Sequence, residues 1–200
     1  MTGNTHKKIN GYILAGGRSS RMGSDKGLLE FKGKAIIEHV IAQLRPTVNN
    51  LVIVANNSNY NVFGYPVICD QIKDAGPAGG IHAALAHSDA ESNFIVSCDM
   101  PFVTTDAIEY LIEQSHHSQI TVPLFKDKLE PLFGIYDTAC APEWQNLIKK
   151  NIFKLQLLID HFKTNTLRVD ENSLFNEKLF TNINTKYDLN KALNIAQHGN

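Results

Sequence analysis

No stretch of this 200-residue chain approaches the eighteen or so consecutive apolar residues of a membrane span. The first ten residues are mostly polar (Thr2, Asn4, Thr5, His6, Lys7, Lys8) and lack the apolar run of a secretory signal, so a cytoplasmic protein away from membranes is expected. An excess of one charge is also missing. The 19 basic and 20 acidic side chains nearly cancel, so no protein-wide field calls for nucleic acid or an anionic membrane, and any anion has to be bound locally. Cysteine is scarce. Cys69, Cys98 and Cys140 are odd in number, form no C-x-x-C and adjoin apolar residues, which predicts reduced, mostly buried, structural thiols. Zinc-site spacing is absent: His82 and His87 are five apart on different helical faces, and His116-His117 lie in a polar stretch. Solvated or helix-surface roles are expected for the histidines. No serine has a G-x-S-x-G setting, so a hydrolase triad has no support.

What remains is ordinary globular composition, 43% hydrophobic and 20% charged, in a length that suits one domain over residues 1–200. The first half alternates. Gly11–Ala15, Leu51–Ala55, Tyr65–Cys69 and Phe94–Ser97 read as short apolar strands. Ala35–Leu44 reads as a helix with Ile36, Ile37, Val40, Ile41 and Leu44 on one face, ended by Pro46. Gly76–Gly80 reads as a loop leading into a helix over Ile81–Ala86, and Thr105 or Asp106 as the cap of a helix through Gln114. Such strands belong to a mostly parallel sheet covered on both faces, an α/β fold. In the second half, Ile120–Leu124 and Leu132–Tyr136 read as strands joined by the turn Lys126-Asp127-Lys128. Helices are expected at Ala141–Lys149 and Phe153–His161 and a strand at Thr166–Val169. Thr185 with Asp188 resembles a capping box for a last helix through Ala196.

The chemistry concentrates after the first strand, in Ile13-Leu14-Ala15-Gly16-Gly17-Arg18-Ser19-Ser20-Arg21-Met22-Gly23-Ser24-Asp25-Lys26. Gly16 and Gly17 let backbone N–H groups approach phosphate oxygens, because no Cβ intervenes. Arg21 can neutralise phosphate charge as a fork and Lys26 as a point charge. This is not a P-loop, since five residues separate Gly17 from Gly23 and serine follows, and no G-x-G-x-x-G is present.

Open α/β sheets bind ligands beyond the carboxyl ends of their strands. That edge should collect residues 16–26, Asn56 and Asn57, Asp70, the Gly76–Gly80 loop and Asp99. Asp99, at the end of an apolar strand and before Pro101, suits a Mg²⁺ ligand facing phosphate oxygens, or else the cap of a turn. Asp70 suits a contact to a base, a ribose or a metal-bound water, and equally a turn-forming role. Asn56 suits a base edge or an ordinary polar loop. The loop bearing Gly79 opens a helix, whose free N–H groups suit a base or phosphate; a merely tight connection is the alternative.

The pattern L-A-G-G-x-x-x-R-M-G-x-D-K resembles the signature of nucleotidyltransferases that make the dinucleotide forms of the molybdenum cofactor, above all the guanylyltransferase (MobA) family. The likeness extends over Leu14–Gly17, Arg21–Leu29, Asp70, Gly76–Ile81, Cys98-Asp99-x-Pro101, Glu130-Pro131-Leu132 and Phe180–Thr185. It implies a Rossmann-like three-layer fold, Mg²⁺ dependence, and transfer of GMP from GTP to the terminal phosphate of molybdopterin with release of pyrophosphate. It also implies recipient molybdoenzymes and an accessory GTP-binding protein as partners. By the same resemblance Leu14, Ala15, Gly16, Lys26, Asp70 and Asp99 take nucleotide positions, with Asp99 also the metal ligand. Glu130, Asn182 and Asn184 take the acceptor side. The family's asparagine near the end of the second strand aligns with Val54, leaving Asn56 two residues later. Two rivals stand beside this expectation. A cytidylyl relative would have L-A-A-G where this chain has Gly16, and a non-catalytic nucleotide-binding or cofactor-delivery module would tolerate loss of Asp99.

Overall fold

The computed structural model describes residues 8–15, 25–72 and 74–198. The central strand β1 (Ile9–Leu14) is buried along its whole length because helices cover both faces of the sheet. Its neighbours are β4 (Asn50–Val54) and β6 (Ser92–Ser97), both parallel to it, and β5 (Val67–Ile68) extends the parallel run beyond β4. On the other side the chain reverses. β9 (Phe133–Asp137) pairs antiparallel with β6 and with β7 (Ile120–Phe125), and β10 (Thr164–Arg168) closes the edge parallel to β7. The order is β10-β7-β9-β6-β1-β4-β5, with the short β8 (Lys128–Leu129) folded back on β7.

Alternate residues of β1 feed two cores. Ile9 and Ile13 face α1 (Ile36–Leu44) and α3 (Thr105–Glu113), where Ile37, Val40, Leu44, Ile108 and Leu111 are buried. Tyr12 and Leu14 face α2 (Pro77–His87), α4 (Ala141–Lys149) and α5 (Leu155–Ile159), with Trp144 as the largest fully buried side chain. The expected three-layer α/β arrangement is therefore present. No helix among the described residues is long and apolar enough to cross a membrane.

Several local expectations need correction. The stretch read as a loop over Gly76–Gly80 is helical from Pro77 onward. Proline at the first helical position has its φ already set and needs no donor, and the small residues 78–80 pack so tightly that all three are buried. Tertiary contact outweighs the low helix propensity of glycine there. The α3 cap is Thr104, whose hydroxyl accepts from Ala107 N at 3.3 Å, in place of Thr105 or Asp106. Cys98 and Cys140 are buried, but Cys69 is exposed. The helix expected over Phe153–His161 is confined to Leu155–Ile159, and β10 begins two residues earlier than expected. A hairpin of β2 (Glu30–Phe31) and β3 (Lys34–Ala35) was not anticipated; Lys32 and Gly33 turn it with φ of 52° and 76°. At the C-terminal end, Thr185 and Asp188 do form a reciprocal cap for α6 (Lys186–His198): Asp188 N donates to Thr185 Oγ1 at 3.1 Å and Asn184 N to Asp188 Oδ2 at 3.0 Å.

Candidate active site

Backbone hydrogen bonds continue the parallel ladders one residue past the strands and bring four strand ends level, those of β1, β4, β5 and β6. Ala15 N donates to Val54 O at 2.8 Å, Ala55 N to Ile68 O at 2.9 Å and Cys98 N to Leu14 O at 3.0 Å. Along this edge lie Leu14 and Ala15 from β1, Asn56 beyond β4, Asp70 beyond β5 and Asp99 beyond β6. Gly16, Gly17 and Arg21 lie outside the described residues, and the chain re-enters at Asp25 and Lys26.

Residues 182–184 bind one end of the edge together. Ile183 N donates to Asp99 O at 2.9 Å, and Asn184 Oδ1 accepts from Lys26 Nζ at 2.5 Å. A single three-residue stretch thus touches both the lysine and the aspartate. Asn182 Oδ1 is buried there without a hydrogen-bond partner among the described residues, so it remains available to a donor on a ligand. Glu130 belongs to a turn at the same strand: Ser97 N donates to Leu132 O at 3.0 Å, which seats the Glu130–Leu132 turn against the end of β6. Its carboxylate is buried and pairs with Lys128 Nζ at 2.6 Å.

Asp99 is 9% exposed and accepts from Ser97 Oγ at 2.6 Å. Burial holds its carboxyl above the usual range, while the Ser97 hydrogen bond and the Lys26 charge pull the other way. No group of three or more His, Cys, Asp or Glu side chains among the described residues forms a metal cage. A lone buried carboxylate whose charged form is short of counter-charge nevertheless fits Mg²⁺. That ion is commonly held by one or two carboxylates completed by substrate phosphates and water.

The other end is built around Asp70. Its backbone N donates to Asn56 Oδ1 at 2.9 Å, and its Oδ1 accepts from Ile72 N at 2.8 Å. Its carboxylate lies over the first turn of α2 so closely that a Cβ at Gly79 would stand 2.7 Å from Oδ1. Glycine is required there by the approach of the carboxylate. Asn56 therefore holds Asp70 in place, and Val54, at the position of the expected asparagine, is buried in the core with Tyr12 and Leu14 and offers no polar group.

His82 was not anticipated. It is 9% exposed, where a solvated or surface role was expected, because it sits one turn after Gly79 on the face of α2 turned toward Asp70. Burial lowers its pKa, the Asp70 charge opposes that, and Lys149 adds to it. Burial likewise pushes the Asp70 carboxyl up, against the Ile72 hydrogen bond and the His82 charge. His87, five residues on, is exposed and meets the Tyr12 hydroxyl through Nδ1 at 3.0 Å. The short spacing of Gly79 and His82 on a helix was the available signal, hidden because residues 76–80 read as a loop.

Comparison with known proteins identifies the family. The model of the MobA-like NTP transferase domain family matches residues 11–161. A probable molybdenum cofactor guanylyltransferase of Flavobacterium johnsoniae is 37% identical over 185 residues, covering 92% of this chain and 95% of that protein. A molybdenum cofactor guanylyltransferase of Vibrio parahaemolyticus is 38% identical over 182 residues, covering 88% and 91%. The crystal structure of molybdopterin-guanine dinucleotide biosynthesis protein A from Archaeoglobus fulgidus superposes with a TM-score of 0.80 at 28% identity, covering 94% of this chain and 98% of that one.

Proposed function

We infer the function from one premise: this chain belongs to the family of MobA-like NTP transferase domains. It transfers GMP from GTP to the terminal phosphate of molybdopterin and releases pyrophosphate. The observation that carries this reading is the meeting of the Lys26 ammonium and the Asp99 backbone on residues 182–184, with the Lys26 charge acting on the buried Asp99 carboxylate. The guanylyl choice is supported by the names of relatives that align along nearly their full length.

In the reaction, an oxygen of the pterin phosphate attacks the α-phosphorus of GTP in line. One P–O bond forms, the bond to the β-phosphate oxygen breaks, and the electron pair leaves with pyrophosphate. No protein nucleophile is needed, so catalysis consists of positioning and charge neutralisation. Lys26 and Arg21 neutralise the triphosphate. Asp99 would hold Mg²⁺, which would offset the charge developing on the phosphate oxygens. Leu14, Ala15, Gly16 and Gly17 bind the nucleotide, Asp70 and the first turn of α2 at Gly79 fix its ribose and base, and Asn56 acts through Asp70. Asn182, Asn184 and Glu130 shape the acceptor side, where Asn182 Oδ1, unpartnered among the described residues, can accept from a pterin donor.

The test is pyrophosphate release from purified protein given Mg²⁺, molybdopterin and each nucleoside triphosphate in turn. Release with GTP is expected, and release with CTP alone overturns the guanylyl assignment. Asp99→Ala should lower turnover at least about a hundredfold while the fold survives, as should chelation of the metal. Unchanged turnover in either case refutes the metal role, whereas no pyrophosphate release by the wild type with any triphosphate returns the chain to a non-catalytic module.

A further inference from the structure

Two adjacent side chains after β4 reach the two ends of the site. Asn56 Oδ1 accepts from Asp70 N, and Asn57 Nδ2 donates to Asp25 Oδ2, both at 2.9 Å. Asn57 Oδ1 also accepts from Asn59 N at 3.0 Å and so caps the 3₁₀ turn Ser58–Phe63. That turn drives Tyr60 inward until it is fully buried, and its hydroxyl donates to Asp25 Oδ1. The same hydroxyl abuts the next turn of chain: a Cβ on Gly27 would stand 2.6 Å from it and 3.1 Å from Cys98 Sγ. Lys26 is therefore flanked by two residues seated on Tyr60, and the Cys98 thiol that meets Gly27 belongs to the residue before Asp99.

We infer that Tyr60, assisted by Asn57, is the positioning residue that sets Lys26 against Asp99 for binding of the triphosphate. The inference rests on the nucleotide reading given above. A lysine is a point charge on a flexible four-carbon stem, so its aim depends on where its backbone is fixed. Asp25 and Gly27 supply that fixing, and both depend on Tyr60. The arrangement predicts that Lys26 loses its contribution when the tyrosine hydroxyl is removed, although Tyr60 itself touches no substrate.

A double-mutant cycle separates positioning from general support of the fold. Tyr60→Phe keeps the buried ring and deletes only the hydroxyl. It should weaken GTP binding roughly tenfold, the effect of one hydrogen bond to a charged group, with the KM for molybdopterin unchanged. In a Lys26→Ala background the same substitution should change GTP affinity less than about twofold, because the group it aims is gone. Equal losses in both backgrounds, or no loss in either, overturn the inference. The cycle is repeated with Asn57→Ala, an exposed position whose replacement leaves the core intact, and the same pattern is required of it. Wild-type protein that fails to bind GTP overturns the nucleotide reading and this inference with it. Wild-type binding with additive losses overturns this inference alone.

Discussion

Replacing Gly79 with alanine sets two effects of opposite sign against each other. Gly79 is in the first turn of α2 and fully within the helix, where alanine is favoured over glycine by roughly 1 kcal/mol. The added Cβ, however, would stand 2.7 Å from Asp70 Oδ1 and 2.8 Å from its Cγ, distances that real Cβ atoms do not adopt. The carboxylate has to swing out. In doing so it gives up the hydrogen bond from Ile72 N at 2.8 Å. A bond to a charged acceptor contributes about 1.5–3 kcal/mol when buried, and the half-exposed setting of Asp70 reduces that to about 1 kcal/mol. The two terms nearly cancel. With roughly 2–4 °C per kcal/mol for a chain of this size, Tm should move by less than about 4 °C. Binding should have no such compensation, since the nucleotide contact proposed for Asp70 is lost when its carboxylate swings out. GTP affinity should fall about tenfold or more, in keeping with loss of a charge-assisted contact. Differential scanning calorimetry and titration calorimetry with GTP measure the two effects on one preparation. Wild-type GTP affinity in Gly79→Ala would refute the role given to Asp70, and a Tm lowered by more than about 10 °C would refute the cancellation.

Three further outcomes are expected. Asp99→Asn keeps the volume and the Ser97 contact but removes a charge whose burial is costly. Because the Asp99 carboxyl is raised in the folded state, its ionisation costs stability above the unfolded value of about 3.9. The variant should therefore be more stable than wild type by about 1 kcal/mol at pH 7.5, and the gain should shrink as pH falls toward 4. An increment that does not depend on pH would contradict this origin. His82 has the opposite sign: burial depresses its pKa, so wild type loses stability as pH falls below the unfolded value of about 6.5. His82→Gln should remove part of that acid-side loss, read as a flatter dependence of Tm on pH between about 7 and 5. Gly27→Ala forces a methyl against the Tyr60 hydroxyl and Cys98 Sγ. Overpacking should cost about 1–3 kcal/mol in urea denaturation; a neutral result would mean that Tyr60 is not held against this turn.

Much of the architecture was legible before any coordinates. Fully apolar strands such as Leu51–Ala55 carry their burial in composition, because a strand covered on both faces has no polar position to keep. The Thr185 and Asp188 pair announced its helix because a reciprocal cap acts within four residues. The convergence of Asp70 and Asp99 on one edge followed from the parallel order of strands alone. The start of α2 did not follow, since a Gly-rich pentapeptide favours a loop until Ala78 and its neighbours are pressed against the sheet and Trp144 Nε1 donates to Ala78 O at 3.0 Å.

The amino-acid order by itself determined the α/β alternation, the residue types offered at each strand end and the family to which they belong. Each of these is carried by a short window of chain and by general rules of backbone geometry. Only the tertiary structure decided that Asn56 serves Asp70, that Asn57 and Tyr60 hold Asp25, that His82 is buried beside a carboxylate and that Asn184 meets Lys26. These contacts join residues between 12 and 158 positions apart. Their strength depends on ångström-scale approach and on exclusion of water, and no local pattern of residues encodes either quantity.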